Sequence, residues 1–281
     1  MVEAQTGEAI TGNKICSLKE EYIAKLLKEQ NLERVNQTSL PVRPKTGFYV
    51  RYIKRMLDFV IALMAVIFFS PVNIGLAIGT YFDVGSPILY RQTRIGKGGR
   101  KFQLIKFRNM TNEVDENGKL LPPSQRVTRF GKFVRKYSLD ELMNFWSVLK
   151  GDMSIIGPRP LPFLFEERYS ERHKMRNAVR PGLECPRIIE DISVPSYHLQ
   201  FENDIWYVEH VSFWTDIRMI VLLVRMTFNL KKRTKSAEAS GYFIGYDDDG
   251  MAVSMKQLER KTMKYSEEYG RWMECSDKSE K

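Results

Sequence analysis

An apolar run from Met56 to Tyr81, with charged flanks, constrains this chain more than any other feature. Arg51, Lys54 and Arg55 precede it, and Arg91, Arg94, Lys97, Arg100 and Lys101 follow. A simple spanning helix gathers Lys and Arg mainly on its cytoplasmic side. Basic residues on both flanks therefore favour two ends on one membrane face. Ser70-Pro71 sits in the middle, and a proline removes a helix hydrogen bond and clashes with the preceding turn. The two legs, Asp58–Phe69 and Pro71–Phe82, each hold about 12 residues and reach roughly 18 Å. The hydrocarbon core is roughly 30 Å thick. The expectation is a re-entrant helix hairpin, broken at Ser70 and Pro71, that reaches the midplane and returns. A straight, kinked transmembrane helix and a buried helix of a soluble core are the competing readings. Asp58 would cost about 3 kcal/mol at the bilayer centre, which places it at the interface near Arg55.

The 281 residues are 43% hydrophobic, enough for a real core, and carry a net charge of +10. Such a balance suits anionic partners: phospholipid, phosphorylated substrates or nucleic acid. Cys16, Cys185 and Cys275 form no CxxC pair, and His173, His198 and His210 have no zinc spacing. A disulfide framework or structural zinc is not expected, and a reducing, cytoplasm-facing location is. The first 50 residues lack the apolar segment of a signal peptide.

Elsewhere the pattern is mixed. Ser17-Leu-Lys-Glu20 reads as a capping box opening a helix to about Arg34. Ile88–Tyr90 and Phe102–Phe107 read as strands around turns at Gly96, Gly98 and Gly99. Residues 112–126 read as a loop, and Glu166–Ala178 as a charged helix. Residues 211–230 read as an apolar helix with Arg218 and Arg225 on one face. That pattern fits a helix in the membrane interface, or one packed on a soluble core. Lys231, Lys232, Arg233 and Lys235 would then meet anionic headgroups. The tail after Lys235 reads as polar and peripheral, with Asp247-Asp-Asp249 solvated.

Ser138-Leu-Asp140-Glu141 carries the candidate chemistry. Adjacent acids at a helix start suit Mg²⁺ and a pyrophosphate, because the helix N-terminus favours phosphate and an ionised carboxylate. The same four residues also fit an ordinary capping box. The surroundings add weight: Lys106, Arg108, Arg129, Arg135, Lys136 and Arg159 bracket the acid pair. Arginine offers phosphate a rigid two-pronged donor, and Pro158 and Pro160 fix the backbone around Arg159. A nucleic-acid reading could use Phe102, Phe107 and Phe130 as stacking platforms, but leaves the apolar run unexplained.

Several blocks together resemble the bacterial sugar transferase family, the monotopic polyprenyl-phosphate phosphoglycosyl transferases. They are Lys54-Arg55-Met-Leu-Asp58, Ser70-Pro71, Gln92-Thr-Arg94-Ile-Gly96, Phe102–Met110, Ser138–Asn144, Gly151–Pro160, Arg180-Pro181-Gly182 and Asp204–Val208. Their order and spacing cover residues 50–232. The resemblance implies a helix-rich α/β fold with a small sheet, anchored by the hairpin and interfacial amphipathic helices. It implies transfer of a phospho-sugar from a UDP-sugar to polyprenyl (undecaprenyl) phosphate, with release of UMP. Asp140 matches the family nucleophile, which forms a covalent aspartyl-phosphosugar intermediate, and Glu141 matches the second, Mg²⁺-binding acid. Lys106, Arg108, Arg135, Arg159, Pro160, Arg180 and Asp204 match positions around phosphate, metal and substrate.

The implied partners are a UDP-sugar, polyprenyl phosphate and the phospholipid membrane, with a homodimer or glycosyltransferases as further candidates and no nucleic acid. The implied location is the cytoplasmic face of the bacterial inner membrane, with both termini cytoplasmic. The expected divisions are an arm at 1–47, the hairpin at 48–84, the catalytic domain at 85–235 and an extension at 236–281. After Gly182 the family continues Thr/Ile-Thr-Gly, whereas this chain reads Leu183-Glu184-Cys185-Pro186-Arg187. That segment belongs to the region implied in nucleotide and sugar binding. A catalytically silent scaffold for glycan assembly is the alternative function.

Overall fold

The computed structural model describes residues 17–116, 118, 120–186, 188, 196–228 and 241–279. Arg187, Cys16 and the basic run Lys231, Lys232, Arg233 and Lys235 lie outside the described residues.

Helix α1, Leu18–Thr38, begins at the expected capping box, with Ser17 Oγ accepting from the Glu20 amide and Glu20 accepting from the Ser17 amide. A π-helical turn, Tyr49–Ile53, leads into α2, Lys54–Val84. Strands β1, Leu89–Ile95, and β2, Lys101–Phe107, form an antiparallel hairpin. Gly98 and Gly99 supply its left-handed turn, with φ of 66° and 77°. Helix α3, Arg129–Lys136, and α4, Asn144–Lys150, flank a 3₁₀ turn at Leu139–Glu141. Short strands β3, Ser154–Ile156, and β4, Gly182–Glu184, pair in parallel. Helices α5, Ser196–His210, and α6, Phe213–Phe228, follow. Strands β5, Phe243–Tyr246, and β6, Ala252–Ser254, pair antiparallel before α7, Met255–Lys261, and α8, Lys264–Ser279.

The fold is helix-rich as expected, but the described strands form three separate two-stranded sheets rather than one small sheet. The charged helix expected at Glu166–Ala178 is instead three short pieces. The break falls at Tyr169-Ser170, where buried Tyr169 turns into the core and Ser170 caps the next turn.

The apolar run folds as one α-helix of 31 residues whose helical assignment continues through Pro71, so no separate legs are seen in the backbone. Pro71 cannot donate to the Ile67 carbonyl. The Ser70 hydroxyl takes that place, donating to Ile67 O at 2.8 Å. One face of α2 packs on the rest of the protein along its whole length. Near its start, buried Asp58 accepts from Ser154 Oγ at 3.0 Å and from the Ile155 amide at 2.9 Å. Asp58 is therefore sealed inside the protein, not at the lipid interface near Arg55, because β3 supplies the donors that offset its desolvation. Ala62 joins a core with Phe102, Leu104, Val148 and Met153. Mid-helix, Phe69 stacks on Phe145 at 6.1 Å. Further on, Leu76 packs with Phe107 and Val134, and a Cβ on Gly79 would meet the Phe130 ring at 2.6 Å. At the end, Asp83 accepts from Thr128 Oγ1 at 2.6 Å.

The opposite face of α2 is apolar and open: Met56, Val60, Met64, Ile67, Phe68, Ile74 and Phe82 are all exposed. It is a helix long and apolar enough to cross a membrane, with little of its most apolar stretch buried. Helix α6 shares this character. Met219 and Asp216 face the core, while Trp214, Ile217, Val221 and Val224 are exposed alongside Arg218 and Arg225. Asp216 joins these parts, accepting from Lys54 Nζ at 2.7 Å and from the Tyr49 and Tyr207 hydroxyls at 2.6 Å each.

The tail is not peripheral. Ile23, Ala24 and Leu27 of α1 pack with Ile244, Val253, Met255, Leu258 and Tyr265 in one core. A second core joins Val35, Phe243 and Tyr246 to Phe165, Tyr169 and Phe201 of the central body. Asp247 is buried and accepts from the Asp249 and Met251 amides, so the acidic run organises the β5–β6 turn.

Candidate active site

The acid pair sits where α3 hands over to α4. Ser138, a non-glycine residue, adopts a left-handed conformation at φ 54° and makes no side-chain cap. The expected capping box is therefore absent, and a single 3₁₀ turn replaces the expected helix start. Such strain persists only where surrounding packing enforces it. Here Leu139, Leu142 and Met143 pack against the cluster of Leu76, Phe107 and Val134. The turn is thus seated on the second half of α2.

The ends of α2 also grip the two helices that bracket the turn. Arg55 donates to the carbonyls of Val148 at 2.6 Å and Leu149 at 2.8 Å, closing the C-terminus of α4. Thr128 caps α3 through the Gly131 amide at 2.8 Å and also donates to Asp83. Arg108 closes α2 itself through the Val84 and Gly85 carbonyls. Arg108 therefore caps the apolar helix, its guanidinium meeting carbonyls that the helix end leaves unpaired.

The two acids occupy different environments. Glu141 Oε1 accepts from Lys106 Nζ at 2.8 Å and Arg159 Nη2 at 2.7 Å. Burial would raise its carboxyl, but Arg159 and Lys106 overturn that and hold it below the usual range. Asp140 is only 8% exposed. Its Oδ2 lies 3.4 Å from Asn109 Nδ2, and Asn109 Oδ1 in turn accepts from Arg135 Nε at 3.0 Å. Burial pushes the Asp140 carboxyl up, opposed by Lys106 and Arg135 and aided by Glu141. The pair is split into a fixed anion at Glu141 and a more basic carboxylate at Asp140, a division typical of functional sites.

Arg159 extends from the loop after β3. Its Nη1 reaches Glu184 Oε2 at 3.0 Å, so its guanidinium spans two carboxylates. The loop is tightly placed: a Cβ on Gly182 would fall 2.1 Å from the Gly157 nitrogen. Pro160 is buried, and its carbonyl accepts from Arg94 at 3.3 Å. Arg180 donates to the Gly151 carbonyl at 3.1 Å and makes no contact with either acid among the described bonds. Asp204 is not at the open site. It is buried with Arg176, whose Nε and Nη2 donate to its Oδ2 at 3.0 and 2.6 Å. Arg176 Nη2 also donates to the Arg159 carbonyl at 2.8 Å. Asp204 therefore acts on the site through two intermediaries, since an interior guanidinium requires a paired anion.

Lys106, Arg135, Arg159, Asp140 and Glu141 are thus gathered as the sequence suggests, and Ser70 and Pro71 lie on α2 away from them. Asn109 and Arg176 were missed. Asn109 carries no charge signal, and Arg176 looks like one more surface cation until Asp204 is brought beside it. Among the described residues no group of His, Cys, Asp and Glu forms a complete metal cage. Two hard carboxylates beside a basic surface do suit Mg²⁺, which is commonly held by one or two carboxylates together with substrate phosphates. A surface cavity of about 660 Å³ between α1 and the Phe163–Arg168 turn is lined by Lys25, Lys28, Glu29 and Glu167, and by none of these residues.

Residues 49–230 match the model of the family described as bacterial sugar transferase. The chain is 38% identical over 173 residues to the uncharacterized sugar transferase EpsL of Bacillus subtilis, covering 62% of this chain and 86% of that protein. It is 33% identical over 182 residues to the Aeromonas hydrophila UDP-N-acetylgalactosamine-undecaprenyl-phosphate N-acetylgalactosaminephosphotransferase, covering 62% and 43%. It is 35% identical over 186 residues to the Escherichia coli UDP-glucose:undecaprenyl-phosphate glucose-1-phosphate transferase, covering 62% and 40%. The chain therefore spans less than half the length of the last two. With the family model matching well over half of the residues and ending before β5, the chain belongs to the bacterial sugar transferase family.

Proposed function

We propose that this protein transfers a sugar-1-phosphate from a UDP-sugar to polyprenyl phosphate at the cytoplasmic face of a bacterial membrane, opening the assembly of a surface glycan. The observation that carries the reading is the split acid pair. A basic, buried Asp140 stands next to Glu141, which Lys106 and Arg159 fix in place. The names of two relatives support the reaction class.

In the first step an Asp140 oxygen bonds to the phosphorus that carries the sugar. The phosphoanhydride bond to UMP breaks, and UMP leaves with that electron pair. In the second step an oxygen of polyprenyl phosphate bonds to the same phosphorus and the Asp140–phosphorus bond breaks, regenerating the carboxylate. Splitting the transfer keeps two anionic substrates from meeting directly. Lys106, Arg135 and Arg159 would offset phosphate charge. Asp140 and Glu141 would hold Mg²⁺, which when bound neutralises charge developing on the diphosphate. Asn109 orients Asp140 against Arg135.

The contacts of α2 with the protein body favour both of its ends lying on one membrane face over a spanning helix. Asp58 at one end, Phe69 in the middle and Asp83 at the other all touch the same body. A spanning helix would carry its two ends to opposite sides of roughly 30 Å of hydrocarbon. Lipid would then cover the open faces of α2 and α6 and bring the acceptor, carried on its polyprenyl chain, to the acid turn. The test is UMP release from a panel of UDP-sugars with undecaprenyl phosphate and Mg²⁺. Release that requires both the lipid and the metal supports the reading; no release from any uridine donor contradicts it.

A further inference from the structure

The site contains an anion that the two-step transfer does not use. Glu184 ends β4, and its place is fixed by the β3–β4 register, which sets it opposite Ile156. The Gly157 amide bonds to its carbonyl at 3.3 Å, and Arg159 follows two residues later. Its carboxylate engages Arg159 Nη1 at 3.0 Å, while Nη2 is held by Glu141 at 2.7 Å. Each terminal nitrogen of the guanidinium therefore already donates one N–H to a protein carboxylate. A diphosphate that takes the Nη1 donor facing Glu184 competes with that carboxylate.

The two carboxylates are unequally held. Glu141 is also tied to Lys106, and its side chain is 27% exposed. Glu184 is 37% exposed, beside an arginine that is itself 41% exposed, and its other oxygen accepts from the neutral Cys185 amide at 3.3 Å rather than from a second cation. Half-exposed pairs of this kind contribute little, because solvent screens them. Arginine–phosphate pairing is charge-assisted and two-pronged, so phosphate can outcompete such a contact. We propose that Glu184 is a displaceable latch that sets donor affinity: it holds Arg159 in position when the site is free, and competes with the donor's diphosphate for Nη1. The proposal rests on the reading that the site takes a nucleoside diphosphate sugar.

The test uses the full-length protein in lipid nanodiscs with Mg²⁺. UDP, which carries the diphosphate without the sugar, is titrated into the wild type, E184Q and E184T, with melting temperatures measured alongside. The latch predicts that both variants bind UDP about two- to fivefold more tightly, the range that loss of one exposed pair allows. The gain shrinks as salt is raised. The KM for the UDP-sugar falls in parallel, with no rise in kcat. Unchanged or weaker UDP binding in both folded variants overturns the proposal. Weaker binding of the UDP-sugar with unchanged UDP binding also overturns it, and makes Glu184 a sugar contact. Failure of the wild type to bind UDP or any UDP-sugar sinks the donor reading itself, which is a separate result.

Discussion

Arg176 and Asp204 are locked together in the interior, Nη2 to Oδ2 at 2.6 Å, with both side chains almost fully buried. The pair matters because the same nitrogen holds the Arg159 carbonyl. Removing one partner leaves the other charge buried and uncompensated, which costs about 3–5 kcal/mol. Asp204→Asn is expected to destabilise the protein by an amount in this range, read by urea unfolding in detergent. At temperatures where it remains folded, its donor KM should rise, because Arg159 loses its backbone support.

Asp140 links stability to pH. Its carboxyl is raised by burial, so the folded protein favours the protonated form. The contribution to stability is present at low pH and is lost as pH rises through the raised value. Asp140→Asn removes this penalty. It should melt at the same temperature as the wild type or higher near neutral pH, while turnover falls to background. On the acid side, wild-type kcat should decline at a higher pH than an ordinary carboxylate would give, because the nucleophile must be ionised. A pH–rate profile beside a melting series checks both.

Gly157 and Gly182 approach too closely for any side chain. A methyl at Gly182 would sit 2.1 Å from the Gly157 nitrogen. Gly182→Ala must part β3 from β4 and displace the Arg159 loop, at a cost of at least about 1–3 kcal/mol. Turnover should drop by more than the fall in folded fraction, measured by comparing activity with circular dichroism.

The α1 and tail cores make a separate stability claim. Leu27 is fully buried against Ile244 and Val253. Leu27→Ala should cost about 2–5 kcal/mol. Limited proteolysis should then cut within residues 241–279 before the family region.

The open face of α2 should control membrane association. A single Phe68→Asp substitution places a charge on a side chain that is 75% exposed. At the bilayer centre such a change costs about 2.5–3.5 kcal/mol. Co-flotation with anionic vesicles should fall without loss of the folded core.

Much of this arrangement was readable locally. Ser17 and Glu20 mark the start of α1 within four residues, and Gly98 and Gly99 mark the β1–β2 turn. The acid pair stands out through the cations around it. Other features needed tertiary information. Ser138-x-x-Glu141 satisfies the capping rule on paper, but packing of Leu139 and Leu142 forces Ser138 left-handed instead. Asp58 looks like an interfacial charge until β3 supplies its donors. Leu27 and Ile244 are separated by most of the chain, so no local pattern reveals that arm and tail share a core. Ser70-Pro71 reads as a helix break, yet the hydroxyl of Ser70 bonds the carbonyl that Pro71 leaves free and the helix continues.

The most direct measurement concerns the residue that carries the transferred group. The protein is incubated with a UDP-sugar and Mg²⁺, without lipid acceptor, then quenched, digested and examined by mass spectrometry. The account predicts a phosphosugar adduct on the peptide containing Asp140, absent in Asp140→Asn and discharged by polyprenyl phosphate. Full turnover with both substrates by Asp140→Asn, or an adduct on a different side chain, would contradict it.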